Sequence, residues 1–455
     1  MPFAKKTLTA EEQHRRMTQT PMARLIVSMS VPTVASQLIT IVYNTADTYF
    51  VSHIDTSASA AVGVCFSLMS IIQAFGFGMS MGAGSLISRR LGEKRNEEAA
   101  VYANSGLAAT TLVGALMLAF GLPMLAPLMR LLGSTETMLG YSCDYARWIL
   151  IGAPVLCASF LLSNVLRAEG KAVLSMIGLC VGGVINIALD PLFIFALGMN
   201  TGGAALATVI SQGVSLLILL LFYLRKKTVI RLDPRKISRR ISVYFDIVRV
   251  GFPTICRQGM ASLASALLNN AAGVYGDAAT AAVTIANKVY MLVRNIVLGI
   301  GQGFQPVAGY NFGAGDHRRV KESFKVSCMI GTAVCLAAAA FIFPFSESIM
   351  HWFRNDPEVI KIGTAALRYF CIAMPFLAYS TFVNQMYQCL GFTVIATLLA
   401  SCRQGIFFVP YILIMPSIIG IAASQSVQAA TDVLTFIVSI PFQIYFFKKI
   451  LKPDN

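Results

Sequence analysis

Three aspartates stand inside stretches of sequence that are otherwise apolar. They are Asp47, Asp190 and Asp432. An ionised carboxylate without water or a partner is costly, so such residues are candidates for a functional site. Asn44 precedes Asp47 and Asn186 precedes Asp190 by about one helical turn, which places each pair on one helix face. Oxygens of this kind carry a proton or bind a hard cation such as Na⁺.

The apolar stretches are long enough to cross a lipid bilayer. Hydrophobic residues make up 56% of the 455 residues, charged residues only 13%, and the mean hydropathy is +0.69. A soluble domain carries about 25% charged residues, so the composition indicates an all-α polytopic membrane protein. Twelve transmembrane helices are predicted, at residues 25–50, 60–88, 100–129, 148–166, 172–197, 203–224, 250–273, 280–308, 326–345, 369–388, 395–416 and 420–447.

Lysines and arginines cluster on one side of these spans. Of 36, we assign 28 to the terminal segments and the loops on their side, and 5 to the opposite loops. The 28 include Arg403, which is counted with the connection between spans 10 and 11 although it falls within the predicted span 395–416. The positive-inside rule then predicts a multi-pass protein of the cytoplasmic (inner) membrane with both termini cytoplasmic. These loops account for the net charge of +15, so no nucleic-acid partner is expected.

This topology places two aspartates at a matching depth. Asp47 lies about six residues, and Asp190 about eight, before the outer end of its span, which is roughly 10 Å below the surface. Thr208 falls at a similar level, and two carboxylates in one dry pocket cannot both ionise cheaply. Pro191 frees the carbonyl of Ile187 and is a predicted hinge. The alternative is that these aspartates are separate polar residues whose hydrogen bonds are satisfied by helix packing. This alternative stays open, most of all for Asp432.

A shift of 221 residues aligns the two halves of the chain. Each half holds six spans, so the halves are related by a pseudo-two-fold axis along the membrane normal, as in one class of secondary transporters. Matched positions include Pro32 with Pro253, Gln37 with Gln258, Gly82 with Gly303, Arg147 with Arg368, and Pro154 with Pro375.

The repeat divides the chain into two predicted lobes. We expect a cytoplasmic tail over 1–23, an N-lobe over 24–224, a basic linker over 225–249, a C-lobe over 250–447 and a second tail over 448–455. A nucleotide-binding loop is not recognised in the sequence, so uphill transport would draw on an ion gradient.

The aspartate pair has no counterpart in the second half, because its repeat partners are Leu268 and Tyr411. Three basic residues lie in spans there instead. Arg257 is close enough to the cytoplasmic end to reach water. Lys288 and Arg294 are expected to face a cavity or a carboxylate.

The predicted substrate cavity comprises Gln37, Asn164, Lys288 and Arg294. The ten cysteines form no CxxC pair, and they are interpreted as free thiols rather than as a structural metal site. A catalytic Ser/His/Asp or Cys/His set is not recoverable, so we expect no enzyme and no cofactor beyond a coupling ion.

Several segments resemble one transporter family. GQGFQPVAGYNFGAGDHRRV (301–320) is similar to the segment after the eighth helix of multidrug and toxic compound extrusion (MATE) transporters. NTADTYFVSHI (44–54), LRAEGK (166–171), NIALDPLFIFALG (186–198) and GGAALATVISQ (202–212) resemble other family segments in the expected order. Spans 7, 8 and 10 contain no acidic residue, which favours the DinF-like over the NorM-like branch.

The resemblance implies an antiporter that exports amphipathic, often cationic compounds in exchange for H⁺ or Na⁺. It implies an ion site at Asp47, Asn186, Asp190 and Thr208, and we add Asn44. We expect a monomer in the lipid bilayer that acts on small molecules by alternating access. The alternatives are a flippase for lipid-linked saccharides or an exporter of an anionic substrate from the same superfamily, and a channel or receptor.

Overall fold

A computed structural model describes residues 9–451, without the side chain of Thr56. The predicted parts of the two tails at 1–8 and 452–455 lie outside the described residues. Within 9–451 the chain is mostly helical and contains no strand. The helices are α1 (Ala10–Gln19), α2 (Met22–Ser52), α3 (Thr56–Gly92), α4 (Asn96–Gly121), α5 (Leu125–Leu131), α6 (Glu136–Ala168), α7 (Ala172–Pro191), α8 (Asn200–Leu224), α9 (Ile241–Gly273), α10 (Asp277–Gly313), α11 (His317–Phe353), α12 (Pro357–Cys389), α13 (Thr393–Ser401), α14 (Phe408–Ile414), α15 (Pro416–Ile419) and α16 (Ala422–Tyr445).

Eleven segments of the described chain are long and apolar enough to cross a membrane. The predicted seventh span falls on α9, which has 33 residues but carries Arg257 and Gln258 in its middle. Length allows α9 to cross, while these polar side chains lower its hydropathy. The prediction of an all-α chain is confirmed.

Two predicted spans are interrupted. The third ends at Gly121, and the short helix α5 follows Pro123, because proline cannot continue the hydrogen-bond ladder of a helix. The eleventh breaks into α13, a π-helical turn over Cys402–Ile406, and then α14 and α15. A π turn widens the helix locally and is common at functional sites.

The predicted N-terminal tail contains an ordered helix, α1. Thr9 accepts a hydrogen bond from the backbone N–H of Glu12, and the Glu12 side chain accepts one from the backbone of Thr9. This reciprocal pair satisfies two backbone donors at the helix start. Met17, on the opposite face, is fully buried against the bundle.

The two halves meet by backbone contacts on the face where α2 begins and α16 ends, which we call the terminal face. A methyl group at Gly82 of α3 would clash with the carbonyl oxygen of Ile247 of α9. A methyl group at Gly92 would clash with the carbonyl oxygen of Tyr310, near the end of α10. Glycine therefore permits this close approach of α3 to α9 and α10.

Candidate functional site

Asn186, Asp190 and Thr208 form one buried polar group between α7 and α8. The amide nitrogen of Asn186 donates to Asp190 Oδ1 and to Thr208 Oγ1, both at 3.3 Å. Asp190 is fully buried, and Thr208 also donates to the carbonyl of Ala204. The turn spacing in the sequence placed Asn186 and Asp190 on one face, as the structure has them.

Asp47 of α2 is held by a residue that the sequence did not single out. The hydroxyl of Tyr145, on α6, donates to Asp47 Oδ2 at 3.2 Å, and both residues are buried. Asn44, one turn earlier, is half-buried and lines the central cavity described below. Tyr145 is 98 residues away in sequence, and no local pattern relates the two.

The packing of α2 along α7 places Asp47 within about one helical turn of the depth of Asp190. A Cβ at Gly183 would contact the ring of Tyr43, and both helices run in the same direction from that point. Asp47 lies one turn beyond Tyr43, and Asp190 two turns beyond Gly183.

Three buried oxygens of this site have no hydrogen-bond partner among residues 9–451. They are Asp47 Oδ1, Asp190 Oδ2 and Asn186 Oδ1. Unpaired buried acceptors are costly unless a proton or a cation satisfies them. The arrangement therefore suits proton binding or coordination of a hard monovalent cation.

Pro191 marks a change of helical geometry directly behind Asp190. The α-helix α7 ends at Pro191, and a π-helical turn follows over Leu192–Ala196. Proline removes a backbone donor, so the widened turn is a natural point for bending.

A central cavity of about 260 Å³ lies between the two halves. Gln37, Asn44 and Thr208 line it from the first half, and Arg257 and Gln385 line it from the second. The cavity thus borders the polar group of α7 and α8. Asn164 lines a smaller neighbouring pocket with Gln302 and Arg167, which also border the central cavity.

The second half buries a cation cluster. Arg403, in the π turn, lies 2.6 Å from Asp432 Oδ1, and Tyr290 donates to Asp432 Oδ2 at 2.5 Å. Arg294 is 5% exposed and lines a pocket with Arg257 and Arg403.

Two sequence assignments in this half change. Arg403 lies inside a membrane helix and not in a loop, because span 11 continues through the π turn. The sequence signal for this buried position was that Arg403 falls within the predicted span 395–416. Lys288 is exposed on α10 and lines neither this pocket nor the central cavity.

Among residues 9–451, no three His, Cys, Asp or Glu side chains are grouped as metal ligands. The ten cysteines are free thiols.

Comparison with known proteins places the chain among transporters. A family model described as MatE matches residues 32–192 and 253–414, and the two matches begin 221 residues apart, the shift of the internal repeat. The multidrug export protein MepA of Staphylococcus haemolyticus (strain JCSC1435) is 24% identical over 450 residues, covering 98% of each chain. MepA of Staphylococcus aureus (strain MRSA252) is 23% identical, covering 90% of this chain and 91% of its own.

Solved structures of similar proteins have the same fold. An outward-facing multidrug resistance MATE family transporter of the MOP superfamily aligns with a TM-score of 0.90 at 26% identity, covering 96% of this chain and 99% of its own. A MOP superfamily transporter from Pyrococcus furiosus, whose binding pocket is described as having reverse polarity, aligns with a TM-score of 0.90 at 26% identity, covering 98% and 100%. These alignments confirm the predicted membrane fold of two six-helix halves.

Proposed function

Because the chain belongs to the MatE family of multidrug and toxic compound extrusion transporters, we propose that it exports amphipathic compounds, cations among them, in exchange for protons. Members of this family are multi-pass membrane transporters and not enzymes, and they need no cofactor. The observation that carries the coupled mechanism is the pair of buried aspartates, each with one oxygen that has no hydrogen-bond partner within residues 9–451. Their neighbours Asn44 and Thr208 line the central cavity. Na⁺ is the alternative coupling ion, since hard oxygens also bind it.

Proton exchange follows from the position of the two aspartates. When the cavity faces outside, Asp47 and Asp190 take up a proton, their mutual repulsion falls, and α2, α7 and α8 repack about Pro191. Repacking weakens substrate binding and releases the compound. Facing inside, the aspartates release the proton and substrate binds again. The membrane potential contributes about 2.3 kcal/mol per charge per 100 mV.

The contacts at the terminal face support an outward-facing state. With both termini cytoplasmic in the inner membrane, the backbone contacts of Gly82 and Gly92 close the inner side. The lobes over 24–224 and 250–447 then move as units in a monomer, and the 225–249 linker joins them.

Reconstituted liposomes test this proposal. Efflux of the cationic dye rhodamine 6G is followed under an imposed pH gradient and, separately, a Na⁺ gradient. We expect the pH gradient to drive efflux, and Asp47→Asn and Asp190→Asn each to abolish its dependence on the gradient.

Asp144→Asn is the matched control. Asp144 is an exposed aspartate on α6, so its loss should leave efflux unchanged. Intact coupled efflux in both Asp47→Asn and Asp190→Asn would contradict the mechanism. If only the Na⁺ gradient drives efflux, the coupling ion is Na⁺ and not the proton. If neither gradient drives any efflux, a flippase is favoured.

A further inference from the structure

Three arginines of the second half converge on one small pocket. Arg257 comes from α9, Arg294 from α10 and Arg403 from the π turn, and Asn384 and Gln404 are among the other polar residues that line the pocket. Three separate helices thus direct cationic side chains to one place inside the membrane. Charged side chains at such depth are costly and are kept for pairing or for function.

The positive charges outnumber their partners. Asp432 forms an ion pair with Arg403, and among residues 9–451 no acidic side chain lies within 4.0 Å of Arg257 or Arg294. The Nε atoms of both are buried without a hydrogen-bond partner in that part of the chain. Within residues 9–451, the only hydrogen-bond contact of the Arg294 guanidinium is with the sulfur of Met291, at 3.3 Å. The pocket therefore carries two uncompensated positive charges.

We infer that this arginine pocket binds the anionic group, a carboxylate or a phosphate, of an amphipathic substrate whose body occupies the central cavity. The planar guanidinium offers paired donors that match the two oxygens of such a group. An anion between Arg257 and Arg294 also removes the repulsion of like charges in a medium of low dielectric constant.

The sizes of the two spaces fit this division. The arginine pocket measures about 30 Å³, and a single water needs roughly 10–15 Å³ on this scale, so the pocket accepts a carboxylate and not a whole dye. The central cavity is larger, about 260 Å³. Arg257 and Leu298 line both spaces, so the two spaces are adjacent.

The inference rests on the proposed export function and sharpens its substrate class. The first half places buried aspartates beside the cavity, while the second half places arginines there. Organic anions and zwitterions therefore join cations as substrates, with their anionic group held by the second half.

Equilibrium binding tests the pocket without any ion gradient. Fluorescein, an anion, and rhodamine 6G, a cation with the same xanthene core, are titrated by anisotropy into the purified full-length protein in neutral detergent. We expect Arg294→Gln and Arg257→Gln each to weaken fluorescein binding about ten-fold or more, as for the loss of a hydrogen bond to a charged group. Rhodamine 6G binding should not weaken.

Charge and location are controlled by two further variants. Arg294→Lys keeps the charge and should retain more affinity than Arg294→Gln. Arg354→Gln removes an exposed arginine at the end of α11 and should leave binding unchanged. Unaltered fluorescein binding in both pocket variants would overturn the inference, as would an equal loss in Arg354→Gln or no binding by the wild type. Arg257 is only half-buried, so Arg257→Gln keeps the test available if Arg294→Gln does not fold.

Competition separates the sources of the anion. Displacement of fluorescein by inorganic phosphate, lost in Arg294→Gln, assigns the pocket to any small oxyanion. Displacement by dihexanoyl phosphatidic acid alone assigns it to a phospholipid head group, and both results uphold the anion site. If fluorescein binds but neither gradient drives rhodamine 6G in liposomes, the export function fails while the anion site stands.

Discussion

The carboxylate of Asp432 and the guanidinium of Arg403 form an ion pair at 2.6 Å, with Asp432 fully buried. The hydroxyl of Tyr290 donates to the same carboxylate and also accepts a hydrogen bond from Arg403. The pair joins the π turn of Cys402–Ile406 to α16. A buried charge that loses its partner is strongly destabilising, so this contact fixes the shape of the arginine pocket.

Removing one member of this pair should cost more than removing both. We expect Asp432→Asn to destabilise the protein by about 3–5 kcal/mol, because Arg403 is left buried and unpaired. Asp432→Asn combined with Arg403→Gln should recover part of that loss. Apparent Tm values of the wild type and the two variants are compared by heating each protein in detergent and measuring the remaining folded fraction by size-exclusion chromatography. A double variant no more stable than the single one would contradict a direct pair.

The hydrogen bond from Tyr145 to Asp47 predicts a role for Tyr145 in coupling. Tyr145→Phe keeps the ring and removes the donor at 3.2 Å. A hydrogen bond to a charged group is worth about 1.5–3 kcal/mol, so we expect gradient-driven rhodamine 6G efflux to slow about ten-fold or more. Initial rates in liposomes give the measurement.

Tyr141→Phe is the control for that prediction. Tyr141 lies one turn earlier on α6 and packs in the same apolar cluster as Tyr145. Its loss of a hydroxyl should leave the rate unchanged. Equal rates for Tyr145→Phe and the wild type would mean that the hydrogen bond does not affect turnover.

Sequence reasoning recovered what local patterns determine. Long apolar runs predict the membrane helices because each backbone group must pair within its own span. The spacing of Asn186 and Asp190 placed them on one face because side chains four residues apart lie one above the other. The constant shift of 221 residues predicted an internal repeat. The two family matches begin at residues 32 and 253, which are separated by the same shift.

What sequence reasoning missed depends on contacts between distant segments. Tyr145 reaches Asp47 across 98 residues, and Asp432 pairs with Arg403, which the sequence did not relate to it. The docking of α1 depends on a surface formed by both halves. These relations follow from helix packing, which no single stretch of sequence specifies.

The contact of Gly82 with α9 predicts a variant that favours opening of the terminal face. In Gly82→Ala the new methyl group meets the backbone of Ile247 and Gly251, which cannot move aside as a side chain can. Overpacking costs about 1–3 kcal/mol, enough to shift the balance of states about five-fold or more. Spin labels on the terminal face of each lobe, in a cysteine-replaced background, measure the distance by pulsed electron resonance.

Gly213→Ala is the matched control, since no atom lies within 4 Å of a Cβ at Gly213 on α8. It should leave the distance distribution unchanged and stabilise α8 slightly, because alanine favours helix over glycine. Distributions that coincide in Gly82→Ala and Gly213→Ala would exclude a packing limit at Gly82.

The helix α1 joins the two halves at the terminal face. The side chain of Gln13 donates to the carbonyl of Glu169 at 2.5 Å, and Asn311 donates to the carbonyl of Met17 at 3.2 Å. His14 lies 3.2 Å from the hydroxyl of Tyr310. The helix therefore stabilises the state in which this face is closed, and weakening it should favour opening.

The docking of α1 should depend on pH through His14. Burial, and next the positive charge of Lys94, lower the pKa of His14 below its ordinary 6.5. A lowered pKa means that the docked helix prefers neutral His14, so this contribution is complete above pH 6.5 and is lost as the pH falls through the lowered pKa. We expect hydrogen–deuterium exchange over residues 10–19, corrected for intrinsic rates, to be faster at about pH 5 than at about pH 8. His14→Gln cannot titrate and should reduce this difference, whereas an equal difference in both proteins would assign the pH dependence to other groups.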